Sequence, residues 1–212
     1  MKKPRRKSAK TDNPTRQLLI DETSRRVEEF GVDGVDVDAV LSKLKVSKGA
    51  LYHYFGSINE LLTAGLLHAY KSRMEEAKIG SLALITDFKS AKEVRERLYK
   101  AVDSYHQVPA RNPLRSLRMQ AYVVAQSQPT LALEIGRIQA ELTEAFTIAV
   151  RELQKRGWVR GDMDPRAFSV LFQALNQGRA IDDIVADADR VNPESWITIV
   201  RQVIDHMLFG DD

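Results

Sequence analysis

Apolar residues recur along this chain at three- and four-residue intervals, and almost nowhere at the two-residue interval of a strand. The first stripe is Leu19, Ile20, Thr23, Val27 and Phe30. It opens behind Asn13-Pro14, a cap followed by a proline at the first helical position, and closes at Gly31. Val40, Leu41 and Leu44 mark a short second helix. Ser57 and Glu60 have the spacing of a capping box, and behind them Ile58, Leu61, Leu62, Gly65, Leu66, Ala69 and Tyr70 form a nearly ideal stripe over 57–77. The stretch Lys78–Lys89 is less regular and reads as containing a loop. Helices follow at 91–107 and 114–126. Pro129 opens a long one carrying Leu131, Ile135, Ile138, Leu142, Ala145, Phe146, Ala149 and Leu153, ended by Gly157. Asp164-Pro165 and Asn192-Pro193 repeat the cap-then-proline signal, so the last two helices are expected at 165–187 and 193–209. The fold class is all-α. The expected division is a basic tail over 1–10, a small three-helix head over 11–56 and a larger helical body over 57–212.

Between the second and third helices the pattern changes character. With Ser47 as N-cap and 100° per residue, Lys48, Gly49, Tyr52 and His53 fall on one arc and Ala50, Leu51, Tyr54 and Phe55 on the opposite one. The second arc suits packing against Val40, Leu41 and Leu44. The first offers a cation, bare backbone, a phenol and an imidazole to the outside. A helix-turn-helix presents its second helix to a DNA major groove in this way, and a helical hairpin inside an ordinary core has the same spacing.

Charge narrows the choice. The formal net charge is +3, yet Met1–Lys10 holds six basic residues and no acid, so the remainder carries 26 basic residues against 29 acidic ones. The basic character belongs to the tail, which reads either as a solvated extension or as an arm that neutralises phosphate. Only Lys43, Lys45 and Lys48 cluster at the presumed reading head. With no cysteine there is neither disulfide nor thiolate metal site. No apolar run approaches the ~20 residues a bilayer crossing needs, and a cytoplasmic location is expected.

The run Val46-Ser47-Lys48-Gly49-Ala50-Leu51-Tyr52-His53-Tyr54-Phe55, with Gly56-Ser57 and Glu60-Leu61-Leu62 behind it, closely resembles the signature of the tetracycline-repressor (TetR) family of bacterial regulators. The resemblance covers about a quarter of the chain. With the outward arc and the lysine cluster, it makes Lys43, Lys45, Ser47, Lys48, Gly49, Ala50, Tyr52, His53 and Tyr54 the expected operator contacts. Three positions depart from the family pattern. Lys45 stands where the turn usually has glycine, so a non-glycine residue is expected at positive φ. Leu41 replaces a small residue, and Ile58 replaces a phosphate-contacting lysine.

The resemblance also implies a homodimer built on the two terminal helices. Their apolar surfaces are wide: Phe168, Leu171, Phe172, Leu175, Ile181, Ile184 and Val185 on one, Trp196, Ile199, Val200, Val203, Ile204, Met207 and Leu208 on the other. Phe172, Leu175, Trp196, Val200, Val203 and Met207 are the expected interface, and Gly178, read as mid-helix, would allow close approach. For a small-molecule effector, Met119, Tyr122, Phe146, Phe168, Phe172, Gln173 and Asn176 mix apolar walls with polar anchors, although each equally suits a core.

Catalytic motifs are missing from the sequence: there is no phosphate-cradling glycine loop, no HExxH and no nucleophile elbow. The four histidines are scattered. Asp182, Asp183, Asp187 and Asp189 lack an ordered ligand spacing and read as a solvated acidic surface rather than a metal site. Arg111, Arg115 and Arg118 read as solvated helix-surface arginines, with a grip on an acidic effector as the alternative. No cofactor, metal or enzymatic activity is expected. The reading is a dimeric repressor released from a near-palindromic operator by a small molecule. Two others stay open: a DNA-binding protein without an effector, and a helical ligand carrier or enzyme that has lost DNA binding.

Overall fold

The computed structural model describes residues 13–106 and 113–210, and among these every regular element is helical. The helices are α1 Pro14–Phe30, α2 Val37–Leu44, α3 Lys48–Phe55, α4 Ile58–Thr86, α5 Ala91–His106, α6 Pro113–Gln126, α7 Pro129–Lys155, α8 Pro165–Gly178 and α9 Pro193–Ile204. The start signals act as the sequence indicates. Asn13 Oδ1 accepts from the N–H of Thr15, Asp164 Oδ1 from Ala167, and Asn192 Oδ1 from Glu194 and Ser195, each with a proline next in line.

The chain divides into two compact units. One gathers residues up to Ser72 together with Leu117–Ile135, and the other Arg73–Ser116 together with Gly136 onward. Stretches of α4, α6 and α7 thus belong to the same unit as α1–α3. In that unit Leu19, Ile20, Val40, Leu41, Leu51, Phe55 and Leu61 form the core. Helices α1 and α4 meet at Gly65, where an added Cβ would lie 2.5 Å from Thr23 Cγ2. In the other unit Leu84, Val94, Leu98, Val102, Val150, Leu153, Phe168, Phe172, Ile197, Val200, Ile204 and Leu208 are buried together.

Three expectations need correction. The connecting helix expected over 57–77 runs on as α4 to Thr86, so the loop expected within Lys78–Lys89 is confined to its last three residues. Met74, Ser81 and Leu84 repeat at helical spacing on a buried face, and Lys78 pairs with Glu75 one turn back. The penultimate helix stops at Gly178 rather than 187, and a 3-10 turn over Arg179–Ile181 follows. Gly178 is therefore terminal, not central. The last helix is α-helical only to Ile204 and continues as one π-helical turn over Asp205–Phe209.

Candidate nucleic-acid interface

Local chemistry sets the geometry of α2 and α3. Asp36 Oδ1 accepts from the N–H of Ala39 at 3.0 Å and starts α2. Lys45 ends it in the left-handed region, φ 56° and ψ 39°. It is the one non-glycine residue at positive φ among those described, as the departure from the family's glycine led us to expect. There the N–H of Val46 bonds back to Leu41 O at 3.0 Å. Ser47 Oγ then accepts from Ala50 at 3.2 Å and starts α3, leaving a turn of three residues. Gly56, at φ 80°, closes α3, and Ser57 Oγ accepts from the N–H of Glu60 to open α4.

The two arcs of α3 are distinct in the fold. Lys48, Gly49, Tyr52 and His53 are exposed, Tyr52 to 50 %, whereas Leu51 and Phe55 are buried against α1 and α2. Ala50 and Tyr54 are half-buried. Tyr54 packs on the core beneath, and its ring meets His53 edge-on at 5.2 Å. Leu41, the bulky departure, is 5 % exposed and simply fills the core between α2 and α3. Ile58 sits exposed at the first position of α4.

The cations of this head are not equally available. Lys48 Nζ lies 2.9 Å from Asp38 Oδ1, an exposed pair that holds the lysine's pKa above its usual value. Lys43 Nζ lies 2.6 Å from Glu22 Oε2. Glu22 is buried and also receives Arg25 and Arg26. Arg25 is the largest of the influences holding its carboxyl far below the ordinary range. Lys45, Lys43 and Lys48 are all exposed, and of the three only Lys45 has no carboxylate partner among the described residues. Neither pair was foreseen: Lys48 and Asp38 are ten residues apart on different helices, so periodicity does not show that they meet. Gln120 was missed as well. Its Oε1 accepts the N–H of Val32 at 2.6 Å and so fastens the α1–α2 turn to α6. The tail Met1–Lys10 lies outside the described residues.

The candidate effector residues fall in both units. Met119, exposed, and Tyr122, half-buried, belong to the unit of the head. Tyr122 lies 6.3 Å from the ring of Tyr70 and accepts from Arg118 Nη2. Tyr70 is fully buried, which pushes its pKa up. In the other unit Phe146, Phe168 and Phe172 pack ring to ring. Gln173 Nε2 donates to Thr143 Oγ1 and Ser169 O, and its Oε1 accepts from Gln139. Asn176 Oδ1 lies 3.1 Å from His106 Nε2.

Two surface readings are overturned. Arg115 is 1 % exposed and binds Asp183 through Nε and Nη2, both at 2.8 Å, and Arg118 is 8 % exposed. Arg111 lies outside the described residues. Asp183 is thus committed to a guanidinium and Asp182 accepts the N–H of Val191. Among the described residues no group of three or more potential ligands could hold a metal. Of the expected interface residues, Phe172 and Val200 are core, at 9 % and 1 % exposure. Leu175, Trp196, Val203 and Met207 are partly covered. The outward apolar residues of these helices are instead Val170, Leu171 and Ile199, with Ile181 and Ile184 beyond α8. Among the described residues no helix is long and apolar enough to cross a membrane.

Residues 19–64 match the family described as bacterial regulatory proteins, tetR family. A curated relative, the HTH-type transcriptional regulator BetI of Burkholderia thailandensis, is 36% identical over 56 residues. That match takes in 26% of this chain and 29% of the relative's length. Solved structures agree over far more. A putative transcriptional regulator from Saccharomonospora viridis in complex with choline matches with a TM-score of 0.67 at 20% identity, over 91% of this chain and 96% of its own. Reduced NemR of E. coli matches with 0.67 at 14%, over 93% and 100%. GusR of Salmonella enterica matches with 0.62 at 17%, over 94% and 97%. At such identities the likeness establishes a shared fold.

Proposed function

We propose that the chain, whose residues 19–64 match the tetR family of bacterial regulatory proteins, is a member of that family and acts as a dimeric repressor whose hold on a near-palindromic operator is released by a small molecule. One observation carries the reading. The outer arc of α3 sets Lys48, Gly49, Tyr52 and His53 free of the core, while Leu51 and Phe55 anchor the helix from behind. Such a helix enters a major groove, and Gly49 lets backbone approach a base edge or phosphate because no side chain intervenes. Two copies spaced by one turn of DNA, ~34 Å, would read two half-sites.

Dimerisation is proposed through the outward apolar residues of α8 and α9. An effector bound in the body would favour a state with another spacing of the heads, and a coupling of about 1–3 kcal/mol alters operator affinity roughly 5- to 150-fold. The choline complex of the Saccharomonospora viridis protein is in keeping with a small ligand, though it belongs to that protein.

Lys48 must leave Asp38 to meet DNA, which lowers its net contribution to binding. Capture of genomic fragments by the purified chain, followed by fluorescence anisotropy on the captured site, tests the proposal. Tyr52→Ala and Lys48→Ala are expected to weaken binding about tenfold or more each, with melting unchanged, since a specific contact contributes about 1–3 kcal/mol. Retention of no DNA fragment by the wild type would leave a helical ligand carrier as the better reading.

A further inference from the structure

One flank of α3 carries hydrogen-bond donors that the fold does not use. Arg16, in the first turn of α1, is half-buried and holds its guanidinium over the ring of Phe55, Cζ 5.0 Å from the centroid. The stack fixes the planar group by its face and leaves the N–H donors on its edge free. Among the described residues no carboxylate pairs with Arg16 and no acceptor takes a hydrogen bond from its side chain. Arg16 lines a groove of about 410 Å³ together with Tyr54, near the end of α3, and Asn59, at the start of α4. Neither the Tyr54 hydroxyl nor the Asn59 amide has a hydrogen-bond partner among the described residues. Thr63 and Gln128, on the same groove, bond to each other at 3.4 Å.

Three side chains with donors to spare suit an acceptor with several oxygens. The groove's own carboxylate does not supply it: Glu60 turns Oε2 to the α3–α4 turn, 3.3 Å from where a Cβ on Gly56 would stand. One cation beside one carboxylate gives the groove no net charge, so it does not gather a free anion from solution. A phosphate has to be brought to it by the rest of an interface, and the reading helix provides one. With its side chains a helix is about 10–12 Å across and a major groove about 12 Å wide, so what flanks the helix faces a sugar–phosphate strand. The groove lies on such a flank, since Tyr54 meets His53 of the outer arc ring to ring at 5.2 Å. Lys43 and Lys48 are engaged by Glu22 and Asp38, and Ile58 stands in place of the family's phosphate-contacting lysine.

We infer that Arg16, with Tyr54 and Asn59 beside it, takes up a phosphodiester of the operator backbone in place of the lysine absent at Ile58. The guanidinium supplies the charge and the fork of donors, and the Phe55 ring holds it ready. The contact positions the head on the duplex and reads no base. This rests on the reading of α3 as the helix that enters the operator. Free phosphate has the same chemistry as a backbone phosphodiester, and the test separates the two sources.

Fluorescence anisotropy of the full chain on its captured operator fragment, between about 50 and 200 mM salt, gives the slope of log affinity against log salt. Arg16→Gln is expected to weaken binding several-fold and to lower that slope by about 0.9, the share of one phosphate. Arg16→Lys, which keeps the charge, should retain the slope. Adding Ile58→Lys to Arg16→Gln should restore it, since a cation returns to the same strand. An unchanged slope in Arg16→Gln overturns the proposal, even with a lowered melting temperature, for then the arginine only packs on Phe55. Asn59→Asp leaves that stack intact and sets a second carboxylate where the phosphate would lie. It should weaken binding by about tenfold, and unchanged affinity overturns the proposal whether or not Arg16→Gln folds. Calorimetric titration of the chain without DNA, using inorganic phosphate, is expected to show no saturable binding. Binding that Arg16→Gln removes would make a free anion the ligand and overturn the assignment to DNA. A wild type that binds no DNA sinks the regulator reading and this contact together. One that binds operator with a slope indifferent to Arg16 sinks the contact alone.

Discussion

Lys45 shows how a single backbone angle decides what a residue costs. At φ 56° its Cβ crowds the neighbouring carbonyl, a strain of roughly 1–2 kcal/mol that glycine escapes. Lys45→Gly should therefore raise stability, by up to about 1 kcal/mol once the looser unfolded chain is counted. It should weaken operator binding at the same time, because Lys45 is the head lysine without a carboxylate partner among the described residues. Urea unfolding and anisotropy on the same variant check both. Equal or lower stability would mean that the Lys45 side chain makes compensating contacts in the fold. Glu22 is the opposite case, a residue whose neighbours fix its state. It is buried among Arg25, Arg26 and Lys43, so its ionised form is a fixture of the head.

At the scale of elements, glycine positions that look alike along α4 differ once neighbours are known. Gly65 faces Thr23 so closely that a methyl group would fall 2.5 Å from Cγ2 and 2.9 Å from Cβ. Gly80, farther along the same helix, has nothing within 4 Å of an added Cβ. Gly65→Ala should cost roughly 1–3 kcal/mol by forcing α1 and α4 apart. Gly80→Ala should stabilise by roughly 0.5–1 kcal/mol through the helix propensity of alanine. Thermal melts of the two variants should move in opposite directions, and a shared direction would show that the α1–α4 approach has been misjudged.

Across the molecule two outcomes depend on what is buried. His106 is fully enclosed, and burial, then the Arg115 guanidinium, push its pKa down to about 4 from an ordinary 6.5. Asn176, Arg179 and Asp183 also bear on it. The fold holds the ring neutral while the unfolded chain protonates it, so its contribution is complete above pH 6.5. It is lost as the pH falls towards about 4, at most roughly 3 kcal/mol in all. His106→Gln should flatten the stability profile across that interval, as urea titrations at several pH values would reveal; a wild-type profile already flat there contradicts the buried neutral ring. The second outcome concerns assembly. Ile199→Glu sets a charge on the outward face of α9 and should give a folded monomer in sedimentation velocity. Phe172→Glu sets one in the core and should lose folded protein altogether. A wild type that sediments as a monomer at micromolar concentration would remove the proposed interface.

The sequence alone determined the helices and the reading head, because both rest on short-range chemistry. Asn13-Pro14, Asp164-Pro165 and Asn192-Pro193 satisfy the first free N–H groups of a helix wherever they stand. Ser47 likewise fixes the phase of α3, so that Tyr52 falls in the middle of the outward arc with Lys48 and His53, and Leu51 in the arc with Phe55. Periodicity failed at 78–86, where a helix with a mixed face is held by burial of Ser81 and Leu84 against distant residues. It failed again on the terminal helices. Leu171 and Phe172 are equally apolar and 100° apart, and only packing decides that Phe172 enters the core while Leu171 stays outside. The pairings of Arg115 with Asp183 and Lys48 with Asp38 were likewise invisible. A charge signals its need for a partner from the sequence, but which partner it finds is set by tertiary distance.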